Sequence, residues 1–176
     1  NGQNDLISEK EFVAKIIAAK EAKQDKNFMI IARIEALISG AGMDEALKRA
    51  TAYEKAGADA ILIHSKKKTP EEVFEFAELW KGNSPIVVIP TTYDSVSLDE
   101  LISHKIKIVI HANQTLRAAH ASMSRILKQM INSNSLSEVK EEISSMEDIF
   151  ELQEMYDIKD KEKELEEELK KLGYIN

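Results

Sequence analysis

The sequence predicts an α/β fold, and two observations support that prediction. Four short apolar runs rich in β-branched residues alternate with segments of helical periodicity. These runs are apolar on both faces, which is typical of parallel strands that are joined by crossover helices and covered on both sides. The predicted strands cover about residues 28–36, 60–65, 85–91 and 106–112.

Five helices are predicted before, between and after these strands, over Glu9–Lys23, Asp44–Ala56, Pro70–Trp80, Leu98–His104 and Thr115–Ile131. Asp44 follows two glycines and is a candidate N-cap, while Gly57 suits a left-handed C-cap. Pro70 suits the first position of a helix. Periodicity alone leaves open a doubly wound sheet and a (β/α)8 barrel, although a complete barrel takes about 250 residues. No G-x-G-x-x-G turn follows a strand, which disfavours a dinucleotide-binding fold.

The charge of the chain is unevenly distributed. The 176 residues carry 31 acidic and 24 basic side chains, but residues 137–176 alone hold 14 acidic and 6 basic ones. We therefore expect a nearly neutral α/β domain over residues 1–136 and an acidic helical extension over residues 137–176. Residues 144–148 have the pattern of a helix start, and the extension is either a solvated helical surface or a helix that binds a partner.

Composition excludes several classes of protein. The chain has no cysteine, so it contains neither a disulfide framework nor a thiolate zinc site. An acidic balance disfavours general nucleic-acid binding. No apolar run approaches the roughly 20 residues that span a bilayer, and no secretory signal pattern opens the sequence. We expect a cytoplasmic protein that binds neither nucleic acid nor membrane.

Two charged residues interrupt the first predicted strand. Arg33 lies among isoleucines, and a buried guanidinium without an anionic partner is costly. Strand alternation places Arg33 and Glu35 on one face, near the carboxyl end of the strand. The pattern allows an internal pair of these residues or an anion clamp, in which the guanidinium grips a carboxylate or phosphate. The carboxyl ends of strands are where α/β folds bind ligands, which favours the clamp.

His64 closes the second predicted strand, again at its carboxyl end. A single histidine beside apolar residues is more often structural than functional, but the other strands also end in polar groups, at Pro90-Thr91 and at residues 111–113. Ser65 lacks a G-x-S-x-G context, and no zinc or Walker A motif occurs. The residues therefore predict a pocket for a small anion, with no visible nucleophile.

Six segments of the chain carry a resemblance to a known family: Ile31–Gly40, Asp44–Ala56, Ala56–Lys66, Val87–Thr91, Ile110–Asn113 and Leu116–Ala118. The most specific parts are the Arg-x-Glu strand and the strand AGADAILIHSK. Together these segments resemble the phosphoenolpyruvate mutase family of the isocitrate lyase superfamily, and the resemblance extends from Glu9 to about Lys161.

The resemblance implies a (β/α)8 TIM-type barrel enzyme that interconverts phosphoenolpyruvate and phosphonopyruvate, the step that forms the carbon–phosphorus bond in phosphonate biosynthesis. By position, Arg33 resembles the substrate-binding arginine of the family and His64 its active-site histidine. Glu35, Ser65 and Asn113 are weaker candidates that would support these two. Two positions depart from the family pattern, His111 where tryptophan is expected and Thr92 where lysine is expected.

The resemblance also implies what this chain lacks. The first four strands of the family carry the Mg²⁺ ligands and have no counterpart here, so we expect the C-terminal half of the barrel, four βα units plus C-terminal helices, with no metal ligand in this segment. The expected partners are the N-terminal half of the barrel and a second copy that exchanges C-terminal helices in a homo-oligomer.

Two other functions remain open at this stage. One is a phosphonopyruvate hydrolase or a related lyase of the same superfamily, which would use the same anion site for a different reaction. The other is a non-catalytic half-barrel that acts as an assembly module through its C-terminal helices.

Overall fold

Four parallel strands form one sheet in the computed structural model of the protein, which describes residues 6–175. The strands are β1 (Ile31–Ile34), β2 (Ala60–Ile63), β3 (Ile86–Val88) and β4 (Ile106–Val109). Each lies within the corresponding predicted run and is shorter, because the outer residues of the run belong to the connecting loops or, for Ala36, to the helix that follows β1. The predicted α/β class is confirmed.

The order of the strands in the sheet decides between the two architectures. The strands lie in the sequential order β1-β2-β3-β4, and every neighbouring pair is parallel. Right-handed crossovers between strands in sequential order place successive helices on the same face of a sheet. A doubly wound sheet instead reverses its strand order and carries helices on both faces. The topology is that of four consecutive units of a (β/α)8 barrel, as expected from the resemblance.

The helices of this part of the chain are α1 (Glu9–Ala22), α2 (Ala36–Ser39), α3 (Gly42–Ala56), α4 (Glu71–Leu79) and α5 (Leu98–Ser103). The main core lies between them and the sheet, where Ile34 and Ile61 pack with Tyr53 and Phe76. Burying such large side chains stabilises the fold by roughly 1.5–3 kcal/mol each.

Two predicted helix starts are wrong in detail. Helix α3 begins at Gly42 after Ala41, so Asp44 lies in its first turn instead of capping it. A carboxylate in that turn still interacts favourably with the helix dipole. Pro70 precedes α4 instead of occupying its first position. Gly57 ends α3 with a φ of 101°, as predicted for a left-handed C-cap.

Asp59 ties the amino ends of the first two strands together. Its Oδ2 accepts hydrogen bonds from the Ile30 backbone N–H (2.8 Å) and from Lys23 Nζ (3.3 Å). The hydrogen bond from Ile30, together with Lys23, holds the pKa of this carboxyl below its usual value. The two strands then run in register from Ile31 beside Ala60. This register brings side chains at their carboxyl ends side by side.

The chain divides at Asn113 into two compact units. The second unit contains α6 (Gln114–Asn132), a 3₁₀ helix (Leu136–Glu142), α7 (Met146–Leu152) and α8 (Met155–Lys171). Ser145 and Asp148 form a capping box at the start of α7, which confirms the helix start predicted there. The domain boundary expected between residues 136 and 137 stays a prediction. Within residues 6–175, no helix combines the length and apolar character that crossing a membrane requires.

Candidate anion-binding site

Strand alternation turns Arg33 away from the helices. In β1, Ala32 and Ile34 are buried in the main core, whereas Ile31 and Arg33 are exposed on the opposite face. Arg33 lies beside Leu62 of β2, because these two residues are partners in the parallel register. His64 follows two residues after Leu62 and therefore lies on the same face as Arg33.

Arg33, Glu35 and His64 meet at the carboxyl edge of the sheet. Arg33 Nε forms an ion pair with Glu35 Oε1, and Arg33 Nη2 lies 2.5 Å from His64 Nδ1. The side chains of Arg33, Glu35 and His64 remain 45%, 32% and 22% exposed. The internal pair that the sequence allowed is therefore present. Because the guanidinium is still nearly half exposed, its position is also compatible with binding an anion from solvent.

The contact with Arg33 fixes the protonation pattern of His64. A guanidinium can only donate, so His64 Nδ1 is the acceptor and the proton of the neutral ring lies on Nε2. Glu35 Oε1 is 3.5 Å from the same nitrogen, too long to compete as a hydrogen bond. Burial and the positive charge of Arg33 lower the pKa of His64, and Glu35 opposes them only in part. His64 is therefore a neutral hydrogen-bond donor at neutral pH.

Ser65 lies outside this cluster. Strand alternation places Ser65 on the same face as Ile61 and Ile63, so its side chain faces the helices and is fully buried. Its hydroxyl donates to Glu72 Oε2 (2.5 Å) and accepts from the Lys67 backbone N–H (3.1 Å). The supporting role predicted for Ser65 stays a prediction, and any influence on His64 acts through the backbone.

Asn113 is the last residue of the first unit, four positions after the end of β4, and it is half-buried. Its predicted role at the site stays a prediction. His111, which follows β4 more closely, is exposed. Thr92, the other departure from the family pattern, donates from Oγ1 to the backbone carbonyl of Ser65 (3.2 Å). It thus joins the loop after β3 to the loop that follows His64.

Sequence reasoning missed Glu72 at the start of α4. Glu72 binds the buried Ser65 hydroxyl with one carboxylate oxygen and Lys67 Nζ (3.1 Å) with the other. The helix start at Thr69-Pro70-Glu71-Glu72 was visible in the sequence, but which glutamate turns inward depends on the path of the preceding loop. A buried serine after a strand was the only local signal for such a partner.

Residues 6–175 contain no group of three or more histidine or carboxylate side chains placed to hold a metal ion. The one carboxylate within the cluster, that of Glu35, is already paired with Arg33.

The cluster has the chemistry of a receptor for a small, multiply charged anion. A planar guanidinium offers paired donors to carboxylate or phosphoryl oxygens, and His64 adds a neutral donor beside it. The three residues include no serine, cysteine or lysine nucleophile, so the cluster favours binding and charge stabilisation over covalent catalysis.

Comparison with known proteins identifies similar chains. A family model described as phosphoenolpyruvate phosphomutase matches residues 1–131. The phosphoenolpyruvate phosphomutase of Tetrahymena pyriformis is 40% identical over 163 residues, which cover 93% of this chain and 54% of the relative. The chain spans about half the length of the curated relatives it matches.

Two solved structures resemble the chain over most of its length. The structure of a phosphoenolpyruvate phosphomutase from Streptomyces platensis subsp. rosaceus superposes with a TM-score of 0.88 at 41% identity and covers 93% of this chain and 57% of that one. A phosphonopyruvate hydrolase in complex with oxalate and Mg²⁺ superposes with a TM-score of 0.85 at 39% identity and covers 90% of this chain and 56% of that one.

Proposed function

The chain belongs to the phosphoenolpyruvate phosphomutase family, and we propose that the whole protein interconverts phosphoenolpyruvate and phosphonopyruvate. The observation that carries the proposal is the cluster of Arg33, Glu35 and His64 at the carboxyl edge of the sheet. Both compounds are small, multiply charged anions of the kind that this cluster is suited to bind.

The proposed reaction moves one phosphoryl group within one substrate skeleton. The bond from phosphorus to the enol oxygen breaks, the bond from phosphorus to the methylene carbon forms, and no other reactant is consumed. Such a transfer passes through a metaphosphate-like state and depends on positioning and charge stabilisation. The cluster contains no serine, cysteine or lysine nucleophile, which is consistent with this chemistry.

Each residue of the cluster has a distinct role in this proposal. Arg33 binds the anion and keeps it at the carboxyl edge of the sheet. Glu35 holds the guanidinium through Nε, and His64 donates from Nε2 to oxygens whose charge changes as the phosphoryl group moves. Because His64 is neutral, it supplies a hydrogen bond and does not add a second full positive charge.

We propose that the metal and the remaining strands come from outside the described residues. The related hydrolase structure contains Mg²⁺, whereas residues 6–175 hold no group of side chains suited to it. When bound, the metal would supply charge neutralisation for the anion. The expected N-terminal strands would carry its ligands and close the barrel beside β1 and β4.

Phosphorus-31 NMR of the complete protein with phosphonopyruvate and Mg²⁺ tests this function. We expect the phosphonate signal to be replaced by that of phosphoenolpyruvate, since the reaction is an isomerisation. Arg33→Ala should abolish the conversion. If the complete protein leaves phosphonopyruvate unchanged, the proposed activity is wrong.

Hydrolysis of phosphonopyruvate is the second candidate, because a hydrolase matches this chain nearly as well as the phosphomutases do. Hydrolysis would require a water molecule to attack the phosphorus and would release inorganic phosphate and pyruvate. The same NMR experiment separates the two reactions, because inorganic phosphate and phosphoenolpyruvate give different signals. Accumulation of inorganic phosphate without phosphoenolpyruvate would favour the hydrolase.

We also propose that the second unit mediates assembly with another copy of the chain. Helix α6 has no buried residue, and it leaves Leu116 and Ile131 71% and 81% exposed. Helices α7 and α8 likewise expose Leu152 and Leu165. Apolar surface of this kind marks an interaction site. Light scattering of the complete protein should give an oligomer, and a monomer at micromolar concentration would contradict this proposal.

The expected cytoplasmic location stays a prediction.

A further inference from the structure

The loop after β2 is held in place by a buried hydrogen-bonded side chain. Ser65 is 0% exposed, and its hydroxyl donates to Glu72 Oε2 at 2.5 Å. The same hydroxyl accepts from the Lys67 backbone N–H at 3.1 Å. Ser65 therefore uses its side chain in both directions, toward the first turn of α4 and toward its own loop.

Two neighbouring loops attach to the same short segment. Thr92, after β3, donates from Oγ1 to the Ser65 carbonyl at 3.2 Å. Lys66 Nζ donates to the carbonyl of Ile38, in the helix after β1, at 3.1 Å. The segments that follow three adjacent strands are thus joined at residues 65 and 66, beside His64.

The position of His64 depends on this segment. His64 and Ser65 are consecutive residues joined by one peptide bond, and their side chains point to opposite faces of the sheet. His64 Nδ1 lies 2.5 Å from Arg33 Nη2, a contact that a small rotation of the backbone would break. Fixing the Ser65 side chain on the helix side therefore fixes the imidazole on the other side.

We propose that Glu72 is a positioning residue, which acts through Ser65 to hold His64 where its Nδ1 accepts from Arg33. Its effect on turnover rests on the function proposed above, but its effect on the imidazole does not. The polar partners of Glu72 are Ser65 and Lys67, which lie outside the three residues of the cluster.

A purely structural role for Glu72 predicts something different. A carboxylate in the first turn of a helix interacts favourably with the helix dipole, and the pair with the 59% exposed Lys67 side chain adds little. Both effects stabilise α4, but neither selects which ring nitrogen of His64 carries the proton. The tautomer of His64 is therefore the readout that separates the two roles.

Nitrogen-15 NMR of the histidine rings in the complete protein measures this tautomer. The unsubstituted protein should show His64 with its proton on Nε2. In Glu72→Ala and Ser65→Ala the signals should shift toward a mixture of the two tautomers. Glu72→Gln should restore the original pattern, because the amide oxygen still accepts from Ser65. Glu75→Ala removes an exposed carboxylate of the same helix and should leave the pattern unchanged.

Several results would overturn the proposal. If folded Glu72→Ala keeps the His64 signals of the unsubstituted protein, Glu72 does not position the imidazole. If Glu72→Ala fails to fold, Ser65→Ala provides the test, since it removes the donor of the same hydrogen bond. Unchanged His64 signals in Ser65→Ala would then overturn the proposal. A Glu72→Gln protein that matches Glu72→Ala would show that the hydrogen bond is not the cause.

Turnover gives a second measurement. With His64 displaced by a fraction of an ångström, kcat on phosphonopyruvate should fall about 10- to 100-fold in Glu72→Ala, with a much smaller change in KM. Unchanged kcat would contradict the proposal. If the complete protein has no activity on phosphonopyruvate, the proposed function fails, but the tautomer measurement still tests Glu72.

Discussion

Replacement of Arg33 by lysine should separate the geometry of the guanidinium from its charge. Arg33 reaches Glu35 with Nε and His64 Nδ1 with Nη2, so two of its nitrogens are held within the protein. A planar fork held in this way presents its remaining donors in a fixed direction. Lysine keeps the positive charge but has a single ammonium group, which cannot hold both partners and also bind an anion in the same geometry.

The expected loss of affinity for the anion follows from the hydrogen bonds that lysine cannot replace. A hydrogen bond that involves a charged group contributes about 1.5–3 kcal/mol. Since 1.4 kcal/mol corresponds to about a factor of ten in an equilibrium constant, the loss of one such bond weakens binding about 10- to 150-fold. Because Arg33 is 45% exposed, solvent screening places the expected value toward the lower end of this range.

Isothermal titration of oxalate into the complete protein with Mg²⁺ measures this effect. Lys68→Ala is the matched control, because it removes an exposed positive charge from the loop after His64 without touching the cluster. We expect Arg33→Lys to weaken binding at least about tenfold and Lys68→Ala to change it by less than about threefold. Equal and small effects would refute the reasoning, since the anion would then sense only the overall charge.

Three further substitutions test the fold that supports the site. Asp59→Asn should lower the free energy of unfolding by about 1 kcal/mol at about pH 7, because the Asp59 carboxylate accepts from Ile30 and Lys23 and is 38% exposed. The pKa of Asp59 is lower in the folded than in the unfolded chain, so this stabilisation is present above the usual pKa of 3.8 and is lost as the pH falls through the folded pKa. Urea unfolding at about pH 7 and about pH 3 should therefore show a smaller difference in unfolding free energy between the two proteins in acid. An undiminished difference at about pH 3 would contradict the role given to the Asp59 carboxylate. Tyr93→Phe should raise the free energy of unfolding by about 1 kcal/mol, because the Tyr93 hydroxyl is buried without a hydrogen-bond partner among the described residues. Burial also raises the pKa of Tyr93 to about 12. A loss of stability in thermal unfolding would show that the hydroxyl does have a hydrogen-bond partner. Lys105→Gly should stabilise the protein by about 1 kcal/mol, since Lys105 has a φ of 61° just after α5. A lower midpoint of thermal unfolding for this variant would contradict that expectation.

Local sequence patterns predicted the elements that carry the site. β-Branched runs identified all four strands, and alternation placed Arg33 and Glu35 on one face. His64 lies beside them because the parallel register aligns Ile34 with Ile63. The residues that follow, Glu35 and His64, therefore lie at the same level of the sheet. A periodic pattern specifies the face of a side chain directly, which explains why this part of the site could be derived before the structure was known.

The contacts that depend on loop paths could not be derived in this way. The sequence does not say that Ser65 turns toward Glu72, or that Thr92 reaches the Ser65 carbonyl. Arg49 was missed for a similar reason. It is a charged residue in a helix, yet it is 7% exposed and donates to the carbonyl of Ile7, which lies 42 residues earlier in the chain. Long-range partners of this kind leave no periodic signal in the sequence.

Nitrogen-15 NMR of the histidine rings with added oxalate tests directly whether the anion binds at Arg33 and His64. His104 follows α5 at the amino edge of the sheet, stacks on Phe74 and serves as the internal reference. In the complete protein with Mg²⁺, we predict a saturable change in the His64 ring signals and none at His104. His64 signals that stay unchanged at saturating oxalate would contradict binding of the anion beside His64.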